Sequence, residues 1–216
     1  PGNQAELTFQ MSVDGAIEPG HGVEFVLNLN AEPGLDSNLD FLLVVGEQFE
    51  GFETGDFSSN DWSFAGNADW TIDSDDPFEG DFCARSGSID HNQSSSLILE
   101  QYAIMDGMIS FRCNASTQQY QDLLRFDIDG EEQMELSGST GWTARAFPVA
   151  AGWHSYSWSY TKNANTSHGQ DCVRIDAIFL PPRGEAQPPT IETGSQVIAV
   201  NVPNDEETDY TLQIGN

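Results

Sequence analysis

Asp122-Leu-Leu-Arg-Phe-Asp-Ile-Asp-Gly-Glu-Glu-Gln-Met-Glu-Leu136 is the clearest local pattern in the chain. Leu124, Phe126 and Ile128 alternate with polar residues and so share one face of a strand, while Asp129-Gly130 supplies the two left-handed positions of a tight turn. The segment reads as a β-hairpin, Leu123–Ile128 followed by Gln133–Leu136. Outward from it, short strand patterns recur about every ten residues, the spacing of a β-sandwich: Phe82–Ser86, Ser96–Leu99, Met108–Cys113, Thr143–Val149, Ser155–Tyr160 and Cys172–Phe179. His154, Tyr156, Trp158 and Tyr160 fall on one face of a single strand, the pattern of an inward, core-forming side. Apolar spacing of i, i+3, i+4, i+7 never persists without an interrupting Gly, Pro or Asn. The chain is therefore expected to be all-β, with a jelly-roll sandwich over residues 49–182.

Both flanks carry further strand patterns. Residues 1–48 contain Ala5–Val13, Val23–Leu29 and Phe41–Val45, separated by turn signals at Asp14-Gly15, Pro19-Gly20 and Pro33-Gly34. A Pro-rich linker occupies 183–189, and residues 190–216 carry Gln196–Val202 and Asp209–Ile214. Neither flank has enough strands to stand alone. Either the two complete one small sandwich into which the jelly roll is inserted, or each is part of a neighbouring domain; the trailing pattern, which looks like the start of a domain, favours the second.

Charge narrows the partners. With 35 acidic residues against 7 basic ones, the formal net charge of −28 repels phosphate backbones, so nucleic acid and anionic membrane surfaces are disfavoured. Such acidity suits hard cations or solubility in saline surroundings. No apolar run is long enough to span a bilayer, and the abrupt start at Pro1-Gly2-Asn3 reads as a piece of something larger. Cys83, Cys113 and Cys172 form no Cys-x-x-Cys pair, which argues against structural zinc and leaves open one disulfide or three buried thiols. Cys83 and Cys172 lie on the same two strands as Arg85 and Arg174, so they are the first choice if a disulfide forms. The two arginines are expected to pair with carboxylates.

A Glu on the opening strand of the sandwich, Glu53, and an Asp on its closing strand, Asp176, could meet at a seam and share a hard cation. Asp73-Ser-Asp-Asp76 is a second acidic candidate, but it does not continue into the EF-hand loop, because Phe78 stands where that pattern needs Gly. His21, His91, His154 and His168 form neither a zinc box nor part of a credible triad, and no Gly-x-Ser-x-Gly elbow occurs. Trp142 and Trp153, near turns, and Tyr120, in a polar loop, are the candidates for an exposed sugar-stacking platform.

Phe52-Glu-Thr-Gly-Asp-Phe with Trp62, then Trp70-Thr-Ile-Asp73, Phe78-Glu-Gly-Asp-Phe-Cys-Ala-Arg-Ser-Gly87, Asn92-Gln-Ser-Ser-Ser-Leu97 and Asp171-Cys-Val-Arg-Ile-Asp-Ala-Ile178 fall in order along the chain. Together they resemble the jelly-roll modules of secreted bacterial peptidases and adhesins, the gingipain-type cleaved-adhesin and MAM-like group, and more distantly carbohydrate-binding modules. The flanks resemble parts of immunoglobulin-like repeats. The resemblance implies a structural calcium held by the Gly51 carbonyl, the Glu53 carboxylate, the Phe78 and Asp81 carbonyls and the Asp176 carboxylate. It also implies a second acid after Asp176, where this chain has Ala177. The function expected is a non-catalytic, calcium-stabilised binding or adhesion module of a secreted or surface bacterial protein, holding a glycan or protein ligand beside neighbouring domains of the same polypeptide. A structural spacer of a secreted peptidase is the alternative, and a jelly-roll hydrolase or lyase the weakest reading.

Overall fold

Strands dominate because apolar and polar residues alternate at period two, which fits a pleated surface with one dry face. The computed structural model describes residues 5–11, 20–31, 35–183, 198–202 and 208–214. In chain order the strands are β1 (Ala5–Met11), β2 (His21–Ala31), β3 (Leu35–Val45), β4 (Gln48–Glu50), β5 (Trp62–Gly66), β6 (Thr71–Asp73), β7 (Cys83–Arg85) and β8 (Ser94–Ala103). They continue as β9 (Gly107–Ser116), β10 (Leu123–Ile128), β11 (Glu131–Leu136), β12 (Thr143–Val149), β13 (Gly152–Thr161), β14 (Cys172–Leu180), β15 (Ile198–Val202) and β16 (Thr208–Ile214).

The chain divides into two compact units, residues 49–186 and the two ends taken together, 1–48 with 187–216. The larger unit is a sandwich of a five-stranded sheet, β11-β10-β13-β8-β5, and a six-stranded path, β12-β9-β14-β7-β6 plus β4 beside β14. In the smaller unit the ends pair with each other: β1 runs antiparallel to β16, Ala5 opposite Ile214, and β15 runs parallel to β3, Ile198 opposite Phe41. Separate neighbouring domains are thus not what the described strands form. Periodicity predicts strands but not partners, and the trailing strands complete ladders begun by the leading ones. The Asp14-Gly15 and Pro33-Gly34 turns and most of the 183–189 linker lie outside the described residues.

Aromatic residues lock the two sheets of the larger unit together. Phe111 on β9 meets Phe126 on β10 at 4.8 Å and Trp158 on β13 at 5.4 Å, both edge-on. Tyr156, Trp158 and Tyr160 are fully buried, so the inward reading of that strand holds; His154 at its end instead bonds Asp129 at 2.7 Å. Asp129 and Gly130 both take left-handed conformations, as the turn between β10 and β11 requires. The two-residue turn pairs Ile128 with Glu131, so β11 starts two residues earlier than its pattern suggests, and a register shift after Phe126 takes up Gln133.

All three cysteines are free and buried, so the expected Cys83–Cys172 disulfide is not formed. The register explains it: Arg174 faces Arg85 on antiparallel strands, so cysteines two residues before each arginine diverge by four positions, roughly 13 Å. The arginines themselves do find a carboxylate. Asp73 accepts from Arg174 Nε at 2.9 Å and lies 3.7 Å from Arg85 Nε. Burial pushes the Cys83 thiol up to about 12. Thiol-specific alkylation is accordingly expected to label none of the three in the folded protein at neutral pH and all three in denaturant, and labelling of Cys83 without unfolding contradicts its burial.

Trp158→Ala is expected to destabilise the larger unit by about 3–5 kcal/mol in urea melts followed by circular dichroism, because it removes the ring that bridges both sheets.

Candidate functional site

Residues 78–82, the loop leading into β7, are fastened by two carboxylates remote from each other in sequence. Asp176 Oδ2 accepts from the Phe78 N–H at 2.8 Å and from the Glu79 N–H at 3.2 Å. Glu53 accepts from the Asp81 N–H through both oxygens, at 3.1 and 3.0 Å, and from the Phe82 N–H at 3.1 Å. Gly80, at φ +61°, fits against the Glu53 carboxylate, where a Cβ would collide with it. Glu53 and Asp176 thus both accept from main-chain N–H groups of the same loop. Glu53 does not sit on an opening strand, however: it lies in the turns between β4 and β5.

Asp176 is fully buried, and no Lys, Arg or His is at ion-pair distance from it among the described residues. Burial raises its pKa from 3.8 to about 6, opposed by the Glu79, Ala177 and Phe78 N–H groups. A register shift between Asp176 and Phe179 puts Ala177 at φ 48°, with its own N–H donating to Asp176 Oδ1 at 2.7 Å. The bulge turns the carboxylate onto the loop.

The donor set suits a hard cation. No group of three or more His, Cys, Asp or Glu side chains converges as a metal site among the described residues, so a cation here would draw on main-chain carbonyls, as the set of Gly51, Phe78 and Asp81 with two carboxylates implies. With three N–H bonds to each carboxylate, Glu53 and Asp176 each keep about one lone-pair direction free. A buried charge without a cation is what a bound cation would compensate. Asp73 is not available in the same way, since Arg174 neutralises it. Asp76 takes an Asn114 amide at 3.3 Å on its side chain and the Trp142 indole N–H at 3.2 Å on its carbonyl.

Glu50 is the residue that the sequence reading passed over. It is buried, accepts from the Phe52 N–H at 2.7 Å and the Asn60 amide at 2.8 Å, and so holds Phe52 at φ 60°, an uncommon conformation for a bulky side chain. One signal was present: Gln48-Phe49-Glu50 alternates as a strand should, but three residues are too few to stand out.

The three candidate platform residues are not brought together. Tyr120 is exposed in the loop before β10, its N–H donating to Ser137 at 2.9 Å. Trp153 is 65% exposed and packs on Tyr102 at one end of the five-stranded sheet, whose outer face elsewhere carries Ser96, Ser155, Ser157 and Ser159 together with Ile98, Glu100 and Arg125. Trp142 lies behind Phe78, ring centroids 6.0 Å apart.

Phe78 instead walls a groove of about 360 Å³ on the outer face of the six-stranded sheet. Ser110, Ala144 and Ala146 form a floor of small residues, Phe78 and Phe179 stand at its sides, and Glu79, Arg112 and Arg145 also line it. The floor is open because alternation on β9 and β12 turns Phe111 and Phe147 inward and their small neighbours out.

No family model matches the chain, and no curated protein matches it either. Similar solved structures include the TmCBM61 module in complex with β-1,4-galactotriose, at 17% identity over 60% of this chain and 92% of that one, TM-score 0.46. The K1 cleaved adhesin domain of Lys-gingipain from Porphyromonas gingivalis W83 is 14% identical over 64% of this chain and 99% of that one, TM-score 0.48. The secreted serine protease VesC from Vibrio cholerae is 11% identical over 85% of this chain, which spans 44% of that structure, TM-score 0.48. No helix among the described residues is long and apolar enough to cross a membrane.

Because the folded state holds the Asp176 proton more tightly than the unfolded chain, ionising it costs stability above about pH 6, and the cost fades as the pH falls toward 3.8. In the presence of chelator, wild type is expected to lose stability relative to Asp176→Asn between pH 4.5 and pH 7, by about 2 kcal/mol at 1.4 kcal/mol per pH unit. A pH-independent gap between the two proteins contradicts the burial of a charged Asp176.

Proposed function

We propose that the larger unit is a calcium-clamped, non-catalytic module that binds a glycan in the groove over Ser110, Ala144 and Ala146, within a secreted or surface bacterial protein. The groove carries the reading: a floor of small residues between two partly exposed aromatic rings admits a flat sugar ring and offers faces for it to stack on. Calcium is assigned to Glu53, Asp176 and the Gly51, Phe78 and Asp81 carbonyls. Its role is structural. By neutralising the two carboxylates it would hold residues 78–82, and with them Phe78, in the position that walls the groove.

A second reading, a spacer without a ligand of its own, is favoured by the outer face of the five-stranded sheet, which is mostly polar, with Ser96, Ser155, Ser157 and Ser159 around Ile98, and has Trp153 and Tyr102 at one end. Domains strung along a surface protein need only such a face.

Calcium is expected to raise the melting temperature of the wild type, equivalent to about 2.7 kcal/mol at a hundredfold excess over its dissociation constant, and to do nothing for Asp176→Asn or Glu53→Gln. An equal response in all three proteins removes the ion from this site. Titration calorimetry with a panel of neutral oligosaccharides, beginning with β-1,4-galactotriose, is expected to show binding that Phe78→Ala weakens by roughly tenfold or more and that chelator reduces. If no glycan binds in the presence of calcium, the spacer reading stands.

A further inference from the structure

Arg112 is out of keeping with the rest of this chain. Among the described residues Arg85, Arg125, Lys162 and Arg174 each lie at ion-pair distance from an aspartate, as 35 acids would lead one to expect, yet Arg112 and Arg145 do not. Arg112 also donates to no described protein acceptor. Its guanidinium is not loose, however: the Cζ atom lies 4.6 Å from the centroid of the Phe78 ring, Phe78 packs edge-on against Trp142, and the Trp142 indole N–H is anchored on the Asp76 carbonyl. A planar fork of five N–H donors is thus positioned at the edge of the groove with its hydrogen-bonding capacity unspent. Arg145 also lines the groove, but on β12 it alternates with Ala144 and Ala146 and pairs with Phe111, which puts its side chain on the inward parity, and one of its N–H groups donates to the Ala144 carbonyl at 2.7 Å.

We propose that this groove selects a sugar residue bearing a carboxylate, a hexuronic acid, whose acid group pairs with Arg112 while its ring lies over the small-residue floor. The inference rests on the glycan reading of the same groove and names the chemistry it recognises. A bidentate guanidinium–carboxylate pair is the geometry that an unpaired arginine fixed by stacking is suited to make. Two carboxylates lie near and set its limits. Glu79 lines the groove and Asp176 faces Arg112 across β9 and β14, so the ligand's acid must sit on the side of Arg112 away from both. The whole-chain charge of −28 sets another limit. It repels a polyanion over distances up to the Debye length, about 10 Å at 0.1 M salt, but a single pendant acid feels mainly the arginine at contact. The matching ligand is a largely neutral glycan with sparse uronic acid substituents rather than a polyuronate.

Calorimetry on the full chain with calcium tests this, using xylo-oligosaccharides with and without a glucuronic acid branch, oligogalacturonate, and a glutamate-rich peptide. The branched acidic sugar is expected to bind about 10–100-fold more tightly than its neutral counterpart, as one charged hydrogen-bonded pair would give. Arg112→Gln abolishes that preference, read as the ratio of acidic to neutral affinity within the same variant, and Arg112→Lys recovers only part of it; unaltered melting temperatures show that the variants are folded. Oligogalacturonate binds more weakly per residue and gains affinity as salt is added. Neutral binding without preference for the acid, or a preference that survives Arg112→Gln, overturns the uronic acid inference and leaves the glycan reading intact. Binding of the peptide alone, or of no ligand at all, overturns both.

Discussion

Asp176 holds its carboxylate where water does not reach and where, among the described residues, nothing positive faces it at ion-pair distance. Burying an uncompensated charge is among the costliest arrangements a fold can contain, so neighbouring structure has to over-determine it. Three backbone N–H groups do part of this, and the bulge that puts Ala177 in a left-handed conformation does the rest by aiming the side chain at residues 78–82. The loop is thereby fixed from the last strand on one side and from Glu53 on the other. Phe78 and Glu79, which line the groove, are the very residues whose N–H groups Asp176 holds. The geometry of the groove thus depends on the state of charge beneath it.

What the sequence made legible follows from how many residues each feature spreads over. The hairpin at Asp129-Gly130 combines a two-residue turn signal with three alternating apolar positions, and β10 and β12 begin and end where the alternation does. The inward face of Tyr156, Trp158 and Tyr160 was equally plain, since period two over five residues leaves little choice. The short strands β4, β5 and β6 were not read as strands, because three to five residues carry no period and their place is set by pairing with longer partners. For the site, Glu53 and Asp176 were recognisable by type and order, but the way they meet, through main-chain N–H groups of one loop, depends on a bulge that no residue pattern announces. The disulfide expectation failed for a related reason. Shared strands were legible while the register between them was not, and a shift of four positions separates two sulfurs completely.

The distribution of positive charge has a similar logic. Lys162 is buried against Asp171, and Arg174 is buried against Asp73 and Gln170, so two of the few cations are consumed in holding loops to the sheets. In a chain this acidic the remaining arginines are surrounded by potential partners, and an unpaired one signifies more than it would in a balanced protein. The cation–π contact supplies the reason Arg112 stays put without a carboxylate: its Cζ lies 4.6 Å from the centroid of the Phe78 ring, in the lining of the groove.

Position 177 connects the two halves of the site. The resemblance read from the sequence implies a second acid there, and under the proposed calcium reading Ala177 offers the ion one oxygen fewer than an aspartate would. The structure places Ala177 in the lining of the groove, beside Phe179 and on the same surface as Arg112. An aspartate at that position would project a carboxylate into the space a ligand would fill, add to the charge of Glu79, and offer Arg112 the partner it lacks. The small side chain leaves the groove open and the guanidinium unneutralised. The open groove and the unneutralised guanidinium are therefore consequences of one residue, and under the proposed calcium reading that same residue withholds an oxygen from the ion.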